Sequence, residues 1–161
     1  MRMVVVPVLT LISCCLVTRA SAQVFGNDSH LVTIQVSPIT IVQVVGNVNL
    51  SMTGASVTAG EDMMTITDRS TSLRWGINSS RRKVTVATKL VAQKFTLKLQ
   101  AINPTQGPAA PEATLCTAAK DLLLNIGRST GTCTLQYTGD ALASQGAGSD
   151  VHVITFTVQS Q

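Results

Sequence analysis

Hydrophobic and polar positions alternate with a period of two along most of this chain. From His30 to Ser37, Val32, Ile34 and Val36 fall on one face and Thr33, Gln35 and Ser37 on the other. Pro38 interrupts the pattern, which resumes as Ile39–Val45. A strand, a Ser-Pro break and a second strand read as an edge strand that switches partners between two sheets. The same spacing predicts strands over Val48–Thr53, Met63–Thr67, Ser72–Ile77, Lys83–Thr88, Phe95–Ile102, Thr132–Thr138 and Val151–Gln159. These runs are rich in Val, Ile and Thr and are bounded by Gly, Asn, Asp, Ser and Pro, the residues that end strands.

Other segments break the rhythm. Asn103–Glu112 carries three prolines and a glycine, and Gly139–Asp150 three glycines; both are expected as exposed loops. Thr117–Ile126 is open to two readings. Thr117 could cap a short helix with Leu122, Leu123 and Ile126 on one face, or a turn could lead into a strand. Seven to nine short strands without βαβ alternation predict an all-β, antiparallel two-sheet sandwich. Trp75, Phe95 and Phe156 are its expected core anchors.

The first residues have a different character. Arg2, the apolar run Val4–Val17 and Ala20-Ser21-Ala22 read as a signal peptide over residues 1–22, with one β-sandwich domain over 23–161. The apolar run is too short for a membrane span. A secreted, periplasmic or cell-surface location follows, with a lipid-bearing Cys14 as the less favoured route to the envelope. Cleavage leaves 139 residues with ten basic and eight acidic side chains, a net charge of +2. That is too close to neutral to predict nucleic-acid binding. Cys116 and Cys133 then remain, and an even pair in an exported protein predicts a disulfide.

Reactive constellations are scarce. Glu61-Asp62, the one adjacent acidic pair, follows Gly60 and reads as a solvated turn. No nucleophile elbow, zinc-protease helix or phosphate loop occurs, so no enzyme and no cofactor is expected. His30 and His152 open the first and last predicted strands. If those strands pair in parallel, the imidazoles with Asp150 or Asp28 could form a metal site. Arg81, Arg82, Lys83 and Lys89 flank one predicted strand, and Lys94 and Lys98 lie on the next. Were these a hairpin, a basic stripe would face an anionic partner; the plainer reading is edge protection and solubility.

Thr/Val-rich alternating strands, few aromatics and few charges resemble bacterial secreted immunoglobulin-like surface modules of the adhesin or pilus-subunit type. The resemblance implies an immunoglobulin-like sandwich with a structural or adhesive role. It leaves the protein or surface-glycan partner unspecified, and residues 23–37 could serve in self-association as a strand given to a neighbour. The competing expectation is an extracellular or periplasmic module that binds an anionic ligand or a metal.

Overall fold

The structure is a computed structural model that describes residues 29–161, the side chain of Ser56 excepted. The expected signal peptide, Cys14 and residues 23–28 lie outside the described residues. The chain divides into two compact units, 1–35 and 36–161. Of the first, residues 29–35 carry no strand, and their side chains are exposed. The strand expected over His30–Ser37 does not form: an alternating pattern makes a strand only where a neighbour supplies the ladder.

In the second unit eight strands form. They are β1 (Thr40–Val45), β2 (Met63–Ile77), β3 (Arg82–Thr88), β4 (Thr96–Ile102), β5 (Ala113–Thr114), β6 (Lys120–Ile126), β7 (Ser129–Leu142) and β8 (Ile154–Ser160). They make two sheets, ordered β1-β2-β7-β4-β5 and β6-β3-β8. Every pairing is antiparallel. The protein is a β-sandwich. The helix open to Thr117–Ile126 is absent; Lys120–Ile126 pairs with β3 instead. Leu122 and Leu123 both reach the core there because the register shifts at Val84, a bulge that places two neighbours on one side.

The expected strands Met63–Thr67 and Ser72–Ile77 are one strand. Between them the register with β7 shifts at Asp68–Thr71. The Asp68 carboxylate accepts from the backbone N–H and hydroxyl of Ser70, at 2.9 and 2.7 Å, and holds the bulge. Inward positions run Met64 and Ile66 before it, then Thr71, Leu73, Trp75 and Ile77 after it. The change of parity erases the period-two signal at the point where the strand continues. Val48–Thr53 also fails as a strand and passes through coil into a short 3-10 turn at Gly54–Ser56.

The core is one cluster between the sheets, with Leu73, Trp75, Leu99, Leu135 and Tyr137 from the larger sheet facing Val84, Val86, Leu122, Leu123 and Ile126 from the smaller. Trp75 is an anchor as expected, whereas Phe95 and Phe156 are only half-buried. The larger sheet overhangs the smaller, because β2 and β7 have 15 and 14 residues against 7 for β3. The segment 46–57 covers this overhang. A Cβ on Gly139 would lie 3.1 Å from Leu50 Cδ1 and 3.5 Å from Met52 Cε, so a side chain there would push the covering segment away.

The loop at Asn103–Glu112 is not free. Ala110 N–H donates to Leu122 O and Leu124 N–H to Pro108 O, both at 3.0 Å, so the loop lies along the outer edge of β6 and satisfies it. The expected loop at Gly139–Asp150 begins late, since Gly139–Leu142 complete β7.

Candidate functional site

The basic residues singled out from the sequence do not form a stripe. β3 pairs with β6 and β8, and β4 with β5 and β7, so Lys83 and Lys98 sit on different sheets. The hairpin that the stripe required is absent. The charges are also engaged: Lys83 pairs with Asp121 at 2.8 Å and Lys98 with Asp140 at 2.6 Å. Arg82 donates to the hydroxyls of Ser79 and Ser160. Lys94 Nζ donates to Ala147 O at 2.6 Å and lies 5.5 Å from the Phe95 ring centre. Arg81 and Lys89 are exposed on the turns before and after β3.

The Lys98–Asp140 pair shifts both groups. The Asp140 hydrogen bond and charge raise the Lys98 ammonium above its ordinary 10.5. Burial pulls Asp140 upward, but hydrogen bonds from Lys98 and Thr65 outweigh it and hold the carboxyl below 3.8.

The histidines do not open paired strands. His30 lies in the unpaired segment 29–35, and β8 pairs antiparallel with β3. Among the described residues no group of three His, Cys, Asp or Glu side chains could hold a metal. His152, half-buried before β8, shares a 3.1 Å hydrogen bond between Nδ1 and the Thr88 hydroxyl. Burial lowers its pKa below the ordinary 6.5, and the Asp150 charge opposes this.

Cys116 and Cys133 are free thiols, not a disulfide. Cys133 is buried in β7 opposite Leu73. Cys116 follows Leu115, whose N–H donates to Leu97 O, and Leu97 stands opposite Gly139. Gly139 is six residues along β7 from Cys133, about 20 Å at the rise of a strand. A bridge needs Cα atoms within about 7 Å. The β-ladder therefore separates the two cysteines. Burial raises the Cys133 thiol to about 11, against a lowering contact from the Leu73 backbone.

Two further features bear on function. One is the strand edges that have no second ladder partner among the described residues. β1 pairs only with β2, and β8 only with β3. The inward-facing Ile154, Phe156 and Val158 of β8 are half-buried, whereas Val84 and Val86 beside them on β3 are fully buried. Leu31, Val32, Ile34 and Val36 are 92, 67, 84 and 69 % exposed. No Asp, Glu, Lys or Arg occurs between residues 31 and 60, nor after Asp150. Natural sheets commonly place charges on open edges to block pairing with other chains, and these stretches have none.

The other feature is a cleft of about 670 Å³ at the overhanging end of the larger sheet. Its floor includes Leu50, Met52, Met64, Phe95 and Leu97, and its far wall is the loop 146–149. That wall is pinned on both flanks. Asp150 Oδ2 accepts from the N–H groups of Lys94 and Phe95, each at 2.8 Å. Gln145 donates to Lys94 O and accepts from Leu142 N–H, both at 2.7 Å. A glycine-rich loop held by these bonds is preformed, as ligand clefts commonly are. Scattered small residues in sequence gave no sign of it.

No family model, curated protein or solved structure matches this chain. Among the described residues, no helix is long and apolar enough to cross a membrane.

Proposed function

We propose that this protein is a non-enzymatic structural or adhesion-type module of the cell envelope or exterior, and that it joins other copies of itself by strand pairing. The immunoglobulin-like surface modules that its composition resembles are the class intended. The observation that carries the reading is the segment Leu31–Val36: alternating apolar side chains, no charge, no strand partner and high exposure in one stretch. Such a segment is favoured to add to an open sheet edge, where main-chain hydrogen bonds give affinity and alternate side chains give register. The outer edge of β8 suits it. Its Ile154, Phe156 and Val158 share the period-two spacing of Val32, Ile34 and Val36, and a strand laid beside them would extend their cover.

The test is the solution mass of residues 23–161 by light scattering, beside the Ile34→Asp, Val36→Asp double variant. Both positions are exposed, so the sandwich should keep its unfolding transition. The expected result is concentration-dependent assembly of the parent and a monomeric variant. A parent that stays monomeric at all concentrations refutes strand pairing and leaves the ligand-binding reading in front. That second reading is favoured by one observation, the pinned cleft beside His152.

A further inference from the structure

The end cleft has a chemical character that differs from the anionic-ligand expectation. Its floor offers two thioethers and an aromatic ring, from Met52, Met64 and Phe95. Thioethers and ring edges make favourable contacts with flat aromatic groups, and flexible Met side chains adapt to their outline. Asp150 is the one carboxylate on the lining, and no lysine or arginine lines it. The nearest ammonium, Lys94, is turned to Ala147 O. Burial of His152 disfavours its charged form. Asp150 commits Oδ2 to two backbone N–H groups, which fixes the carboxylate while Oδ1 keeps its acceptor capacity.

We propose that this cleft binds a small ligand that combines a flat apolar body, such as an aromatic ring, with a positively charged amine. The ring rests on Met52 and Met64, and the ammonium donates to Asp150 Oδ1 in a charge-assisted hydrogen bond. The volume of about 670 Å³ is within the range of small-molecule sites. An anion of the same shape meets the Asp150 charge while the Lys94 ammonium is engaged by Ala147 O, and is disfavoured on that ground. This inference is independent of strand pairing at residues 31–36 and stands or falls without it.

The experiment follows the methionine methyl signals of the full chain by carbon-13 NMR during titration with phenethylamine, and separately with 3-phenylpropionate. Met63 is 59 % exposed and does not line the cleft, so it is the internal control. The expected result is saturable shifts at Met52 and Met64 by about 10 mM phenethylamine, as for a fragment-sized ligand, with Met63 unmoved. Phenylpropionate should bind at least tenfold more weakly. Asp150→Asn keeps an oxygen for the two N–H groups and removes the charge, so it should abolish the preference for the amine. Trp75 fluorescence reports that the variant is folded. No shift at Met52 and Met64, equal affinity for both probes, or an amine preference that survives in folded Asp150→Asn each overturns the proposal.

Discussion

The contact between Trp75 and Gly131 makes the sharpest test of the core. The two residues are directly opposed across β2 and β7, and the indole is 4 % exposed. A Cβ added at Gly131 would overlap the ring carbons Cζ2 and Cε2 and lie 2.9 Å from Nε1. Either the indole rotates out of its place among the core residues or the strands separate. Overpacking of this kind costs about 1–3 kcal/mol, and loss of the ring's packing approaches the about 3–5 kcal/mol of a Trp→Ala change. Removing a mid-strand glycine returns about 0.5–1 kcal/mol of backbone entropy. Gly131→Ala is therefore expected to destabilise the sandwich by about 3 kcal/mol, equivalent to about 10 °C in the midpoint for a unit of this size. Urea unfolding followed by the single tryptophan measures it directly, with the slope unchanged if only stability changes. Gly76→Ala is the control, because its Cβ would meet only Thr130 Cγ2 at 3.9 Å. A Gly131→Ala protein within about 0.5 kcal/mol of the parent would refute the packing argument.

Two further outcomes are expected. The protein purified without reductant, residues 23–161, should show two alkylatable thiols after unfolding in denaturant, with Cys133 inert in the folded state because it is buried and its thiol titrates at about 11; one disulfide by intact mass would refute the strand geometry around β7. Stability should fall as pH drops through 6.5, because the unfolded chain binds a proton that folded His152 resists, and fall again below 3.8 as the Asp140 carboxylate is protonated through its lowered folded value. Urea midpoints at intervals from pH 8 to 3 read both limbs, and His152→Gln should flatten the upper one alone; an unchanged upper limb in that variant would remove His152 as its source.

The sandwich was legible because its inward positions follow the pleat. β3, β4 and β8 appear in sequence within a residue or three of their true ends, since Val84-x-Val86, Leu97-x-Leu99 and Ile154-x-Phe156 are unbroken alternations. Where a bulge intervenes the pattern misleads. Asp68-Arg69-Ser70 looks like a turn but is a bulge within β2, and Leu122-Leu123-Leu124 looks helical because a bulge in β6 places neighbours on one side. The segment at residues 30–37 misled in the opposite direction. It alternates from Val32 to Ser37 and yet forms no strand, because pairing depends on a neighbour that local sequence does not name.

The site residues failed for a related reason. A basic stripe, a histidine pair and a disulfide each require two strands to be adjacent, and adjacency is the property that alternation leaves open. Lys83 and Lys98 are on separate sheets, and Cys116 and Cys133 are at different heights along one ladder. A single-strand feature survived: Trp75 lies in the core because its own strand parity points it inward. The same logic explains why the uncharged stretches matter. β6 has its edge bonded by the loop through Pro108 and Ala110, whereas β8, with β1 packed nearby, has no second ladder partner among the described residues and no charge. A sheet with one edge bonded and the other without a ladder partner among the described residues, in a chain that also carries an unpaired apolar strand sequence, has the two complementary halves of an intermolecular ladder. If that edge were only a solubility defect, charge placed outward on β8 at Thr155 and Thr157 would improve solubility without changing assembly. Under strand pairing the same Thr155→Lys, Thr157→Lys change should leave the fold intact and weaken assembly, since lysines on an edge strand oppose the approach of another strand to that edge.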